Sequence, residues 1–344
     1  MRRYQNLNQP LNHLPEELST ISILCSFCGH KYPPNWHEKR DSPLIPIKPN
    51  NYEGPGRWVP LAVSVKCPRC HELNSIDIPQ KKLVYTVELY GDEAYRSFDG
   101  KEYIGFSLVG HDPKLKHEVE DKLLEFKQKW FPERDPKSWT IHMLEIWPGH
   151  KRAKSIFKDF KFADVQEFVA EFFELVKSLN NTVWIYSGSY MFKKPRNFNE
   201  KVITERKIEL YTLAILKIIN DLTELESRPT FIFDSEKVGQ STSIVHEWAE
   251  RAFSGMQHSL IYTFATKSNE IDWPIYVKPG SHPSLEIADF VSYVTARYVM
   301  KKALREPIDL NPEGLGRVTY MGLQDGKDFV FHSADQFPWA LFNE

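Results

Sequence analysis

All four cysteines of this 344-residue chain fall in two pairs, Cys25-Ser26-Phe27-Cys28 and Cys67-Pro68-Arg69-Cys70, and nothing from His71 to Glu344 adds another thiol. A two-residue gap lets both thiolates of a pair reach one tetrahedral ion. The spacing therefore predicts a four-cysteine zinc ribbon rather than a disulfide framework, with a redox dithiol as the alternative. The segment between the pairs is long for a ribbon and rich in turn formers: Pro33, Pro34, Pro43, Pro46, Pro49, Gly54, Pro55 and Gly56. It reads as an ordered loop or insertion, so residues 1–80 form one zinc-ribbon module. Structural zinc that holds together a module too small for its own core accounts for the pattern. Recognition of nucleic acid or of a protein partner through the ribbon accounts for it equally.

Composition excludes more than it selects. With 41% hydrophobic and 26% charged residues and a formal net charge of −2, the chain is an ordinary globular protein and not a broadly basic nucleic-acid binder. Local basic patches remain open. The N-terminus lacks the apolar core of a secretory signal, and no stretch approaches the ~18 apolar residues of a membrane span. The expectation is a cytoplasmic protein with no membrane partner.

Residues 81–344 read as a second, larger domain. Leu83 to Tyr90 and Glu102 to Val109 are predicted strands of a hairpin turning near Asp99-Gly100. A helix from about Pro113 to Trp130 follows, then Trp139 to Ile146 as a strand-like segment, Phe162 to Leu179 as an amphipathic helix and Thr182 to Ser187 as a buried strand. A helix over Lys201 to Leu225 precedes the strand ending at Asp234. Further elements are a helix near Ser243 to Phe253, a strand over Ser259 to Phe264, and short tail strands at Arg317–Met321 and Asp328–Phe331. Strands alternating with helices after an opening hairpin give an α/β fold, a mixed sheet flanked by helices.

The last long helix carries the strongest clue. From Ser284 to about Lys302, Leu285, Ile287, Ala288, Phe290, Val291, Val294 and Val299 make it apolar nearly all round, as buried helices are. A carboxylate in such a helix, Asp289, is costly unless it is hydrogen-bonded, paired with a cation or bound to a metal. Asp92 follows the run Leu83 to Gly91, Asp234 follows Thr230-Phe231-Ile232-Phe233, and Glu145 lies in the Trp139–Ile146 segment. Four acids converging in this way suit a pair of hard cations about 4 Å apart, the arrangement for phosphodiester hydrolysis. Plainer uses exist for each: Asp234 as a cap, Asp92-Glu93 as a solvated turn, Asp289 paired with a buried lysine or arginine. Lys151, Arg152 and Lys154 form one basic cluster, and Lys193, Lys194 and Arg196 another. Both suit a phosphate backbone, and both also suit a solvated face.

Four pieces, Tyr90-Gly91-Asp92-Glu93-Ala94, Ile141-His142-Met143-Leu144-Glu145-Ile146, Phe231-Ile232-Phe233-Asp234 and Pro283-Ser284-Leu285-Glu286-Ile287-Ala288-Asp289-Phe290-Val291, occur in an order that resembles the family catalogued as domain of unknown function 3800. The resemblance spans roughly residues 82 to 305. It implies a ribonuclease-H-like fold, with Asp92, Glu145, Asp234 and Asp289 as ligands of catalytic magnesium or manganese and Glu93 and Glu286 as assisting neighbours. It also implies a setting in mobile elements or phage conflict. Glu286 departs from the family pattern, where a neutral polar residue is expected. The function so implied is a metal-dependent nuclease or phosphodiesterase with nucleic acid as partner. A non-catalytic nucleic-acid or protein binding module on the same scaffold is the rival. A nucleotide phosphoryl-transfer enzyme is a third reading, weakened by the absence of a GxxxxGK[ST] loop.

Overall fold

The computed structural model describes residues 22–32, 45–47, 62–77, 82–179, 182–193, 199–234, 274–278, 280–304, 320–324 and 328–332. The chain divides into two compact units: one takes the described residues up to Tyr85 together with 219–228, and the other takes Thr86–Ile218 and the described residues from Pro229 onward, to which the tail hairpin belongs.

In the first unit, β1 (Ile23–Leu24) and β2 (Lys31–Tyr32) pair antiparallel, and β3 (Ile45–Ile47), β4 (Ala62–Lys66) and β5 (Leu73–Asp77) form an antiparallel sheet in that order. Each Cys-x-x-Cys pair is the turn of a hairpin, β1–β2 for the first and β4–β5 for the second. The two turns share one backbone pattern. Gly29 N–H donates to Cys25 O and His71 N–H to Cys67 O, both at 3.0 Å, while Cys25 N–H reaches His30 O and Cys67 N–H reaches Glu72 O. Gly29 and His71 occupy the left-handed region at φ 65° and 66°. That conformation comes freely to glycine and is strained for histidine, so the knuckle geometry is imposed at the second turn.

The second unit is a mixed α/β layer structure. Its sheet runs β10-β9-β6-β7-β8, from β6 (Tyr85–Phe98), β7 (Lys101–His111), β8 (Val183–Lys193), β9 (Ser227–Asp234) and β10 (Ile275–Val277). The hairpin β6–β7 turns at Asp99-Gly100, as the sequence predicts, but both strands outrun the expected bounds. β8 adds antiparallel to β7, and β10 adds parallel to β9.

Helices cover both faces. The helices are α1 (Lys116–Trp130), α2 (Met143–Ile146), α3 (Gly149–Arg152), α4 (Phe162–Ser178), α5 (Glu200–Glu224) and α6 (Pro283–Leu304). Consecutive residues of β7 show the division. A Cβ on Gly105 would lie 2.4 Å from Ser292 O and 2.7 Å from Ala296 N, so α6 sits directly on the strand there. Phe106 points the other way and meets Tyr211 of α5, whose Ile208, Tyr211, Ile215 and Ile218 are buried at helical spacing. On the α6 side, α1 and α4 add an aromatic core in which Phe126, Phe157, Phe168, Phe172 and Phe290 pack edge to face.

Most predicted elements appear where expected. The exception is Trp139–Ile146, read as strand-like: Pro136–Ser138 is a 3-10 turn, Trp139–His142 is extended but unpaired with any described strand, and Met143–Ile146 is a helical turn. The reason is chemical. The amides of Ile141 and Met143 donate to the carboxylates of Glu286 and Asp289, so no strand ladder needs them. The tail strands form a hairpin of β11 (Tyr320–Gln324) and β12 (Asp328–His332). The helix expected near Ser243–Phe253 and the strand over Ser259–Phe264 lie outside the described residues.

Candidate metal centres

Cys25, Cys28, Cys67 and Cys70 bring their sulfurs within 4.8 Å of one another. Cys25 and Cys70 are 3.4 Å apart and Cys28 and Cys67 3.8 Å, too far for a disulfide near 2.05 Å and close to the ~3.8 Å edge of a tetrahedron with ~2.3 Å metal–sulfur bonds. Burial pushes the Cys25 thiol up, but the amides of Cys28 and Phe27 and the Asn74 side chain more than offset it, bringing the thiol down to about 6. At Cys70 the Glu72 amide works downward, while burial and the three neighbouring sulfurs push the thiol up to about 12. Four sulfurs this close cannot all be anionic without a cation among them. The donor set fits zinc.

Asn74 ties the two knuckles together, and no sequence signal marked it. Its Oδ1 accepts from Ser26 N–H at 3.0 Å, and its Nδ2 donates to Cys25 Sγ at 3.5 Å, Tyr32 Oη at 3.2 Å and Glu72 O at 3.3 Å.

The acids gather at the α6 face of the second unit's sheet. β6 alternates, so Tyr90, Asp92 and Arg96 face α6, whereas Gly91 and Glu93 face α5. Ser107, the cross-strand partner of Asp92, donates to Ala288 O at 2.6 Å and fastens α6 next to Asp289. Asp234 ends β9, the strand beside β6. Burial raises the Asp92 carboxyl well above its ordinary range, with the charges of Asp289, Glu93 and Asp234 adding to it. Burial and Asp289 likewise push Asp234 up to about 6, against a pull from His142. Its Oδ1 is buried and has no hydrogen-bond partner among the described residues. Mutually repelling carboxylates with an orphaned oxygen have the chemistry of a hard-cation site. Their donor oxygens do not close to within 4.8 Å as a set of three, unlike the cysteine sulfurs.

Asp289 is held on both sides. Its Oδ1 lies 2.8 Å from His142 Nδ1, and Oδ2 accepts from Met143 N–H at 2.7 Å. Burial lowers the affinity of His142 for a proton, but Asp289 outweighs this and the net shift is upward. Glu286, one turn earlier, is buried. Burial pushes it up to about 7 despite Lys127, whose Nζ lies 3.0 Å from Oε1. Lys127 supplies the counter-charge this acid requires. Glu93, on the other face, pairs with Lys207 at 2.6 Å.

Glu145 sits on the exposed side of α2, where its charge raises the proton affinity of His142. Of the basic residues, Lys151 and Lys154 are exposed, whereas Arg152 donates to Ile146 O at 2.9 Å and Trp147 O at 3.1 Å and so closes the end of α2. Lys193 lies on β8, and Lys194 and Arg196 lie outside the described residues.

A second donor group was not anticipated. Glu88, His111 and His282 bring one ligand atom each within 4.8 Å of the others. Hydrogen bonds already assign these atoms. Ser284 N–H donates to His282 Nδ1 at 3.2 Å, which leaves the proton on Nε2, 3.0 Å from Tyr90 Oη, and Tyr90 donates to Glu88 at 2.5 Å. His111 holds its proton on Nδ1 toward Asp112 O and accepts from Ser284 Oγ at Nε2. With no free lone pair on His282, the group is a hydrogen-bonded strut between β6, β7 and the start of α6. No described helix is long and apolar enough to cross a membrane.

No family model and no curated protein matches the chain. Among solved structures, a glutamine-to-alanine mutant of Bst-RNase HIII aligns over 78% of this chain and 79% of its own, at 10% identity and a TM-score of 0.30.

Proposed function

We propose that this protein is a metal-dependent nuclease or phosphodiesterase, with a ribonuclease-H-like domain over 81–344 and a zinc ribbon over 1–80. One observation carries the reading: Asp92, Asp234 and Asp289, from three separate elements, repel one another in a half-buried site where the buried Asp234 Oδ1 has no partner among the described residues. The order β10-β9-β6-β7-β8, with Asp92 on the central strand and Asp234 on its neighbour, supports the fold reading.

Asp92, Asp234 and Asp289 would hold magnesium or manganese, with Glu145 completing the set from α2. Bound there, a divalent cation supplies Lewis acidity and stabilises the charge that develops on phosphate oxygens. The chain's own contribution is positioning. Asp289 fixes the His142 ring through Nδ1, which leaves Nε2 to meet a substrate or water proton. Lys151 and Lys154, exposed just beyond α2, would steady a phosphate backbone. The failure of the three carboxylates to close as tightly as the cysteines favours a second reading, a nucleic-acid or protein binding module whose acids are structural.

Cleavage of labelled single- and double-stranded DNA, RNA and hybrid with magnesium or manganese separates the two. Asp289→Asn keeps the shape but removes the charge and one of the two acceptor oxygens, and is expected to lower cleavage by about 100-fold or more. No cleavage by zinc-loaded, folded protein on any substrate would instead favour the binding module.

A further inference from the structure

We infer that Lys127 and Glu286 form a buried clamp that positions the segment Trp139–Met143, and with it His142, against Asp289. The inference rests on the acid site being the catalytic one and assigns Glu286 a role other than metal ligand.

The oxygens of Glu286 are already committed. Oε1 lies 3.0 Å from Lys127 Nζ, and Oε2 accepts from Nζ at 3.2 Å and from Ile141 N–H at 2.6 Å. Lys127 Nζ also donates to Trp139 O and lies 4.7 Å from the centre of the Trp139 ring. The two side chains are only 3% and 6% exposed, so water does not compete for these bonds.

Two periodicities meet here. Glu286 and Asp289 are three apart on α6 and share a face of the helix. Ile141 and Met143 are two apart on an extended segment and present their amides in one direction. The match lets one helix face hold both amides, with His142 between them turned onto Asp289 Oδ1. Lys127 adds the carbonyl of Trp139 from α1, so the segment is held at residues 139, 141 and 143. Movement of this segment would carry His142 away from Asp289. Misplacement near 1 Å can cost about 100-fold in rate. A buried ion pair is weak evidence for stability in itself, since apolar replacements are often neutral, which leaves geometry as its contribution.

The test uses full-length, zinc-loaded protein carrying Lys127→Met alone and Lys127→Met with Glu286→Gln. The single variant leaves Glu286 buried without its cation, so the acid must take up a proton or sit uncompensated, and it is expected to lose both Tm and kcat. The double variant is neutral and of similar volume, so Tm should return toward the parent value. Trp139 O still lacks its donor, so kcat should remain about 10- to 100-fold low with KM within about twofold. Recovery of kcat together with Tm would reduce the pair to a packing element and overturn the clamp. Backbone and His142 side-chain NMR signals decide the question without any activity. Altered shifts and faster exchange at Ile141 and Met143 in the double variant support the clamp, and unchanged ones reject it. Should the parent protein cleave nothing, the nuclease reading fails while the NMR result still stands.

Discussion

Each cysteine knuckle takes two thiols from a single hairpin turn, whereas the acid centre draws Asp92, Asp234 and Asp289 from the middle of one strand, the end of another and a helix near the far end of the chain. The knuckle's amide bonds run between residues four or five apart, such as Gly29 to Cys25 and Cys25 to His30, and the sulfurs converge once two such turns meet. In the acid centre the bonds that tie separate elements together are remote: Met143 N–H meets a carboxylate 146 residues away and Ile141 N–H one 145 residues away, although Asp92 Oδ1 also accepts from the adjacent Glu93 N–H at 2.8 Å. A site made from local turns is specified by short motifs. A site made from distant contacts depends on the packing of the whole unit.

The sharpest way to break this contrast is at the zinc. Cys67→Ser should abolish stoichiometric zinc binding, measured by atomic emission, and collapse the NMR dispersion of β1–β2 and β4–β5. Zinc-finger peptides gain about 10–16 kcal/mol from their metal, comparable to the whole stability of a typical domain. Signals from the second unit should persist; their joint loss would mean that the two units do not fold separately.

At the acid centre pH gives the next largest effect. The folded-state carboxyl of Asp234 is pushed up to about 6 and that of Asp92 also lies above its ordinary range, so the folded protein binds protons more tightly than the unfolded chain. In metal-free protein the cost of ionising Asp234 is fully present above about pH 6 and fades as pH falls toward the ordinary carboxylate range near 4, and Asp92 acts in the same direction, so these acids favour folding at the acid end. Manganese must displace those protons. Its affinity, measured by calorimetry, should therefore rise several-fold to about tenfold per pH unit between pH 5 and 6, where Asp234 ionises. A flat profile would remove these acids from the metal site.

A smaller effect sharpens the local side. Asn74→Ala leaves Ser26 N–H without its acceptor and should cost about 1–3 kcal/mol, seen as a lower melting temperature of the zinc-loaded first unit. An unchanged melt would show that the knuckles hold themselves without this bridge.

Legibility followed the same division. The cysteine set, the Asp99-Gly100 turn, the amphipathic helix Phe162–Ser178 and the buried character of α6 are all readable, because each is stated by neighbouring residues or by a 3.6- or 2-residue period. Lys127 was missed although it lies among Val119, Leu123 and Phe126 on the buried face of α1, an unusual place for a lysine. Read beside an acid on the apolar helix α6, it is the one signal that offers the partner in advance. Trp139–Ile146 was misread because its apolar run resembles a strand, while its amides had partners that only α6 could supply.

The spacing of the four cysteines, most of the order of strands and helices, and the need of Asp289 for a partner are legible in the sequence alone, since an acid in an apolar run demands a partner wherever the run packs. The tertiary structure decided which partner each acid received. Lys127 answers Glu286, the amide of Met143 and the ring of His142 answer Asp289, and Asp234 Oδ1 is left unanswered among the described residues. The reason is physical: periodicity and turn chemistry act over a few residues, but electrostatic and hydrogen-bond pairing is settled by proximity in space.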